Sequence, residues 1–288
     1  MRNRCLWAIS FIVLLTGSIV ISDPAPAPGY LKRSLSQVAD KPDDLTTAKA
    51  HFKPLFGIGD DDAQAVKGIA RFGILTVDPD GATRTVRYDR EERACFVVKG
   101  SGVLLYGEEK VPIRQNDFAY LAPGVKHAFL SESTGELCVI AMGYFVPEGK
   151  QVSQMPKPML ASADDVGLQV LGQHGPTTQF KLLMGNTRSL RDKLAAAQQI
   201  NSLFMMDFAP GGTNIPHTHP VEEEIYYMLR GNGEMVAGGT TDNEVRYSCK
   251  EGDAFYFAPK TLIGYYSAAR EGQPHDLILA VRSPYPAR

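Results

Sequence analysis

GGTNIPHTHPVEEEIYYMLRG, Gly211 to Gly231, sets two histidines and three glutamates against a short aromatic-rich apolar run. A strand has period two, so His217 and His219, one residue apart, project to the same face. Pro220 and Val221 allow a turn, after which IYYML resumes as a strand. An antiparallel return then brings a carboxylate opposite the imidazoles. Two neutral imidazoles and one carboxylate make a divalent-metal site that keeps coordination positions open. The competing reading of the same residues is a surface histidine pair beside an acidic turn.

Working outward, strand-like runs fill the chain from Ala70 onward: ARFGILTV, TRTVRY, ACFVV, GVLLYG, FAYLAP, HAFL and ELCVIAMGYFV. Gly and Pro punctuate them at short intervals, which predicts an antiparallel barrel or sandwich. The two halves also repeat. VVKGSGVLLYG matches YMLRGNGEMVAG, and NDFAYLAPGVKHAFL matches GDAFYFAPKTLIGYY, so that Gly100 corresponds to Gly231 and Asn116 to Gly252.

The opening stretch resembles the first motif of the cupin superfamily: a glycine, a His-x-His, a glutamate and a closing glycine, here Gly211, His217, His219, Glu224 and Gly231. Glu224 is the glutamate whose spacing to Gly231 fits, which leaves Glu222 and Glu223 in or beside the turn. GDAFYFAPKTLIGYYS, from Gly252 to Ser267, resembles the second motif. The resemblance implies an all-β fold of two tandem cupin-type jelly-roll antiparallel β-barrels with short helical or irregular connectors, a bicupin. It carries over the metal ligands His217, His219 and Glu224. The family's fourth ligand, a histidine, falls on Ile263, which cannot ligate. Either the metal has one more open position, or Tyr266 or His275 substitutes from nearby. In the first half the same register puts Val86, Tyr88 and Arg93 at the first three ligand positions, and only His127 survives at the fourth. That half is expected to be metal-free and structural, the alternative being a small-anion site built from Arg87 or Arg93 with His127.

Met1 to Ser22 carries Arg2 and Arg4 ahead of a long apolar run and reads as a secretory signal peptide, which places the protein in the periplasm or outside the cell. Left uncleaved, the run approaches the length of a membrane anchor. Residues 23–62 read as an arm laid against the first domain, with a short helix such as Asp44 to Ala50. Residues 63–150 and 201–288 are the two cupin domains. Residues 151–200 connect them, and Ser189 to Gln199 reads as a helical turn or a mobile surface segment. Cys95, Cys138 and Cys249 remain after the leader, and Cys95 and Cys138 are either a disulfide or two buried thiols.

A net charge of −2 gives no support for nucleic acid or an anionic membrane as partner. The chain lacks CxxC, a glycine-rich phosphate loop and a GxSxG elbow, so nucleotide cofactors and Ser-His hydrolysis have no support. Two readings of function follow. One is an exported metalloenzyme using a single Fe, Mn, Zn or Ni ion on a small organic substrate, as a dioxygenase, an isomerase or decarboxylase, or a hydrolase. Tyr226, Met228, Tyr266 and His275 are its candidate pocket residues. The other is a non-catalytic small-molecule-binding protein with a structural metal or none. A homodimer through barrel edges fits both.

Overall fold

The computed structural model describes residues 29–132, 135–152 and 155–285. The apolar leader, and with it the signal-peptide reading, lies outside them. Among the described residues no helix is long and apolar enough to cross a membrane.

The chain forms strands almost throughout. The first half holds β1 (Tyr30–Ser34), β2 (Ala50–Gly57), β3 (Ile69–Val77), β4 (Glu91–Lys99), β5 (Ser101–Tyr106), β6 (Glu109–Arg114), β7 (Asp117–Leu121), β8 (His127–Ser131) and β9 (Leu137–Phe145). Then come β10 (Met159–Ser162), β11 (Thr178–Asn186), β12 (Leu194–Ala197), β13 (Ser202–Phe208), β14 (Thr213–His217) and β15 (Glu222–Arg230). The last are β16 (Asn232–Thr240), β17 (Asn243–Lys250), β18 (Asp253–Phe257), β19 (Ile263–Ser267) and β20 (Asp276–Pro284). Each half combines a large and a small sheet. The first uses β10-β7-β4-β9-β3-β2 and β6-β5-β8, the second β1-β18-β15-β20-β13-β11-β12 and β14-β19-β16-β17.

The repeat read in the sequence is present in the pairing register. Arg93 faces Leu121 across β4 and β7, as Glu224 faces Phe257 across β15 and β18. Val86 bridges to His127 as His217 pairs with Ile263. Asn116 and Gly252 both take positive φ, 71° and 84°, a conformation that Gly and Asn tolerate best. The closing glycine of the motif has a physical reason as well. Gly231 lies at φ 97°, and a Cβ there would sit 1.9 Å from the buried Asp276 carboxylate. Gly231→Ala is therefore expected to cost about 2 kcal/mol or more, from backbone strain and displacement of Asp276, read as a lower Tm in thermal unfolding.

The large sheets are buried on both faces, which is why their strands are apolar at nearly every position. In β4, Cys95 and Val97 point into the interior of the first half, while Ala94 and Phe96 point to the other half. In β15, Tyr226 and Met228 point into the interior of the second half, while Ile225 and Tyr227 join the shared layer. The shared layer also holds Phe56, Phe72, Phe118, Tyr120 and Tyr256, so the two sheets pack face to face through one core.

Two pairings cross between the halves. β1 joins the edge of the second-half sheet by pairing with β18, and β10 joins the first-half sheet by pairing with β7. Both cover what would be open strand edges. The arm is thus split: Ala50–Gly57 lies in the first-half sheet as expected, but Tyr30–Ser34 pairs with the second. Asp44 to Ala50 is not helical. Its turn is capped from Asp43, whose carboxylate accepts from the Leu45 N–H at 3.0 Å and whose carbonyl accepts from Thr46 Oγ1 at 2.8 Å. Nor is Ser189 to Gln199 a helix, since Leu194–Ala197 pairs in parallel with β11. Cys95 and Cys138 are free thiols. Cys95 points into the first-half interior and Cys138 packs on the opposite face of the sheet, so their side chains diverge.

Candidate metal centre

β14 ends at His217, and a turn carries the chain through His219 and Pro220 into β15. The turn is pinned by the Lys260 N–H, which donates to the His219 carbonyl at 2.7 Å. Glu222 and Glu223, expected in or beside the turn, lie just after it as the first residues of β15. Alternation then separates the three glutamates. Glu223 faces the layer between the halves, where it accepts from the Gly68 N–H and from the Tyr256 hydroxyl. Glu224 faces the interior of its own half and is 1% exposed.

Three atoms meet there. His217 Nε2 and His219 Nε2 are 3.2 Å apart, and His219 Nε2 is 3.1 Å from Glu224 Oε2. Donors bound to one ion at about 2.0–2.2 Å in tetrahedral or octahedral arrangement lie about 3.0–3.5 Å apart, so both separations suit neighbouring ligands. Protonation supports the same reading. His217 Nδ1 lies 2.8 Å from the Ile215 carbonyl, which only accepts, so Nδ1 carries the proton and Nε2 keeps its lone pair. Burial lowers the His217 pKa, which keeps the ring neutral at neutral pH. Glu224 Oε2 is buried without a hydrogen-bond partner. An orphaned carboxylate oxygen and two converging imidazole nitrogens share too few protons to satisfy one another, and a cation satisfies all three. Among the described residues no group of three or more His, Cys, Asp and Glu side chains is arranged to hold a metal ion as it stands, so the three donors approach one another in pairs without forming a finished site. The donor set is open.

These atoms lie in the wall of a cavity of about 380 Å³. Its apolar side is Leu171, Phe180, Leu182, Phe204 and Met206, and its polar side adds His174, Arg191, Asn214, Tyr226 and Arg282. The volume suits a small organic molecule. Arg282 opposes Glu224 on β20; its guanidinium is 3.3 Å from the His219 ring nitrogens and 3.5 Å from Glu222.

Not all the candidate pocket residues are in this cavity. Tyr226 lines it, with its hydroxyl accepting from Asn214 Nδ2 at 3.0 Å, and burial raises its pKa well above the ordinary value. Met228 lies deeper in the same core. Tyr266 is bound to Glu244 at 2.9 Å under the Arg246 guanidinium, and His275 pairs with Asp207 at 2.5 Å. Neither lines the cavity, because Tyr266 and Tyr265 alternate across β19 and His275 precedes β20 at its far end. Ile263 pairs with His217 and is buried. His174, Asn214, Arg191 and Arg282 were missed, since His174, Arg191 and Arg282 lie outside any spaced motif and Asn214 falls at an unassigned position within one.

In the first half, Arg93 takes the place of Glu224. It is 2% exposed, stacks on Tyr88 at 4.8 Å, and lies 3.6 Å from Glu91. Arg71 also stacks on Tyr88, at 4.9 Å, and pairs with Asp43 and Glu91. His127 is buried, and its pKa is lowered to about 3 by burial and then by Arg93. The Arg93 guanidinium thus places a positive charge where the second half has the Glu224 carboxylate. Arg87 is exposed and pairs with Asp89.

A family model described as Cupin domain matches residues 73–143 and 204–276, together half of the chain. Germin-like protein subfamily 2 member 4 of Arabidopsis thaliana is 33% identical over 96 residues, 33% of this chain and 43% of that protein. The chain thus spans less than half the length of the curated relatives it matches. The solved structure of Ylba from E. coli is similar with a TM-score of 0.67 at 13% identity, over 91% of this chain and 93% of that one. A mutant of Bacillus subtilis oxalate decarboxylase is similar with a TM-score of 0.64 at 12% identity, over 88% and 77%. At such identities the likeness is one of fold. With two matched copies of the domain and two sheet pairs related by the internal repeat, the chain belongs to the cupin family and is a bicupin.

Proposed function

We propose that this protein is a metal-dependent enzyme acting on a small organic acid in the C-terminal cavity. The observation that carries the proposal is the convergence of His217 Nε2, His219 Nε2 and the orphaned Glu224 Oε2. A divalent ion bound there would act as a Lewis acid or, if redox-active, bind dioxygen. The chain's own residues supply the rest. Arg282 and Arg191 offer positive charge to a carboxylate, and the Tyr226–Asn214 pair presents a fixed polar edge. Leu171, Phe180 and Phe204 give the cavity an apolar wall.

The test is elemental analysis of protein purified without chelator or a metal-affinity tag, beside His217→Ala. About one equivalent of metal in the wild type, lost in the variant, is the expected result. Iron directs the next assay to oxygen uptake, and manganese, nickel or zinc to decarboxylation, isomerisation and hydrolysis of small carboxylic acids. No metal in either protein, even after reconstitution, would overturn the proposal in favour of a non-catalytic binding protein. Export is part of the same proposal and rests on Met1 to Ser22. An intact mass beginning at Asp23 is expected for the secreted form.

A further inference from the structure

The family's fourth ligand position is filled by Ile263, which is 1% exposed and faces His217 across β14 and β19. The two nearby replacements are engaged elsewhere, Tyr266 with Glu244 and His275 with Asp207. The connector supplies a third candidate. Residues Gly172–His174 form a single helical turn in the loop that leads into β11. The loop is closed by a two-way bridge, Gln169 N–H to the Phe180 carbonyl at 3.0 Å and Phe180 N–H to the Gln169 carbonyl at 2.8 Å.

This closure delivers the His174 ring to the cavity wall. The ring packs on Phe180 with centroids 4.9 Å apart and meets the His217 ring at 5.6 Å and 75°. An imidazole bound to a metal has its centroid about 3.2 Å from the ion, so two neighbouring ligands have centroids about 4.5–5.6 Å apart. His217 and His219, at 4.9 Å and 90°, fall inside that range, and His174 reaches its upper end. His174 is half-buried, its Nδ1 has no partner in good hydrogen-bonding geometry, and Asn214 is the side chain beside it.

We infer that His174, brought in by the connector between the two halves, is the nitrogen donor that replaces the histidine missing at Ile263. The metal would then be held by three imidazoles and one carboxylate, with one imidazole arriving from outside the two family motifs. The inference rests on the metal-binding reading proposed above. It also gives the connector a function: the loop that closes the cavity contributes to the site, so metal binding orders the loop.

Co(II) titration of the metal-free full chain, followed by its visible absorption, tests the inference without reference to activity. Wild type is expected to bind one Co(II). His174→Ala is expected to weaken binding at least tenfold and to change the band position and intensity through loss of one nitrogen donor. Adding Ile263→His in the His174→Ala background restores a histidine at the family position and is expected to recover the affinity. Far-UV circular dichroism and Tm check that each variant is folded. His174→Ala with wild-type affinity and spectrum, while His217→Ala has lost binding, would overturn the inference and leave the metal reading standing. Wild-type protein that takes up no Co(II) would overturn both.

Discussion

Glu92→Ala is expected to destabilise the protein by about 4 kcal/mol, a large share of the stability of a typical domain. Glu92 is fully buried and accepts the Gln198, Gln199 and Ile200 N–H groups, each at 2.7 Å, and the Tyr120 hydroxyl at 3.1 Å. Truncation leaves three backbone donors without an acceptor where water does not reach, at about 1–3 kcal/mol for each group. Lost packing and the removal of a costly buried carboxylate act in opposite directions on that sum. The three donors lie between β12 and β13, so this side chain in the first half grips the segment that leads into β13 of the second. Glu92→Gln keeps one acceptor oxygen and is expected to recover part of the loss. Urea unfolding measures both, and a change below about 1 kcal/mol for the alanine variant would rule out this role.

The repeat places Glu223 at the corresponding position of the second half. It accepts from the Gly68 N–H at 2.8 Å and from the Tyr256 hydroxyl at 3.1 Å, so the second half grips the strand leading into the first. Burial raises its pKa from 4.5 to about 7, against the hydrogen bonds, which pull it down. A carboxyl that is harder to ionise in the folded chain favours folding while it holds its proton. Its contribution is fully present below about 4.5 and is lost as the pH rises through about 7. The span corresponds to about 3 kcal/mol. Glu223→Gln removes the titration, so the stability difference between wild type and variant is expected to shift against the wild type by that amount between pH 4.5 and 8. Parallel pH profiles for the two proteins would show that Glu223 is ionised across the range.

These two glutamates mark where sequence reasoning stops. Period-two alternation, the punctuation by Gly and Pro, and the repeat of Gly100 on Gly231 were enough to identify antiparallel sheets in two copies, because each is a local property of the backbone. The spacing of His217, His219 and Glu224 was equally legible, since residues within eight positions are placed by one turn and one strand. The registers that align His127 with Ile263 then followed, and the pairing has them there.

Which face of a strand meets which core was not legible. β4 and β15 are apolar on both sides, and alternation has no sign when both faces are buried. Only the packing of one large sheet on the other decides that Glu223 serves the joint between the halves while Glu224, one residue later, serves the cavity. The same holds for side chains gathered from distant segments. His174 in the connector, Asn214 on β14 and Arg282 on β20 share no spacing, and closure of the sheets alone brings them to one wall. The pairing of β1 with the second-half sheet was likewise hidden, because a short strand gives no sign of which open edge it will cover. Local chemistry in the sequence determined the fold class and the three central ligand candidates, whereas long-range packing decided their neighbours, since it depends on contacts that no window of sequence contains.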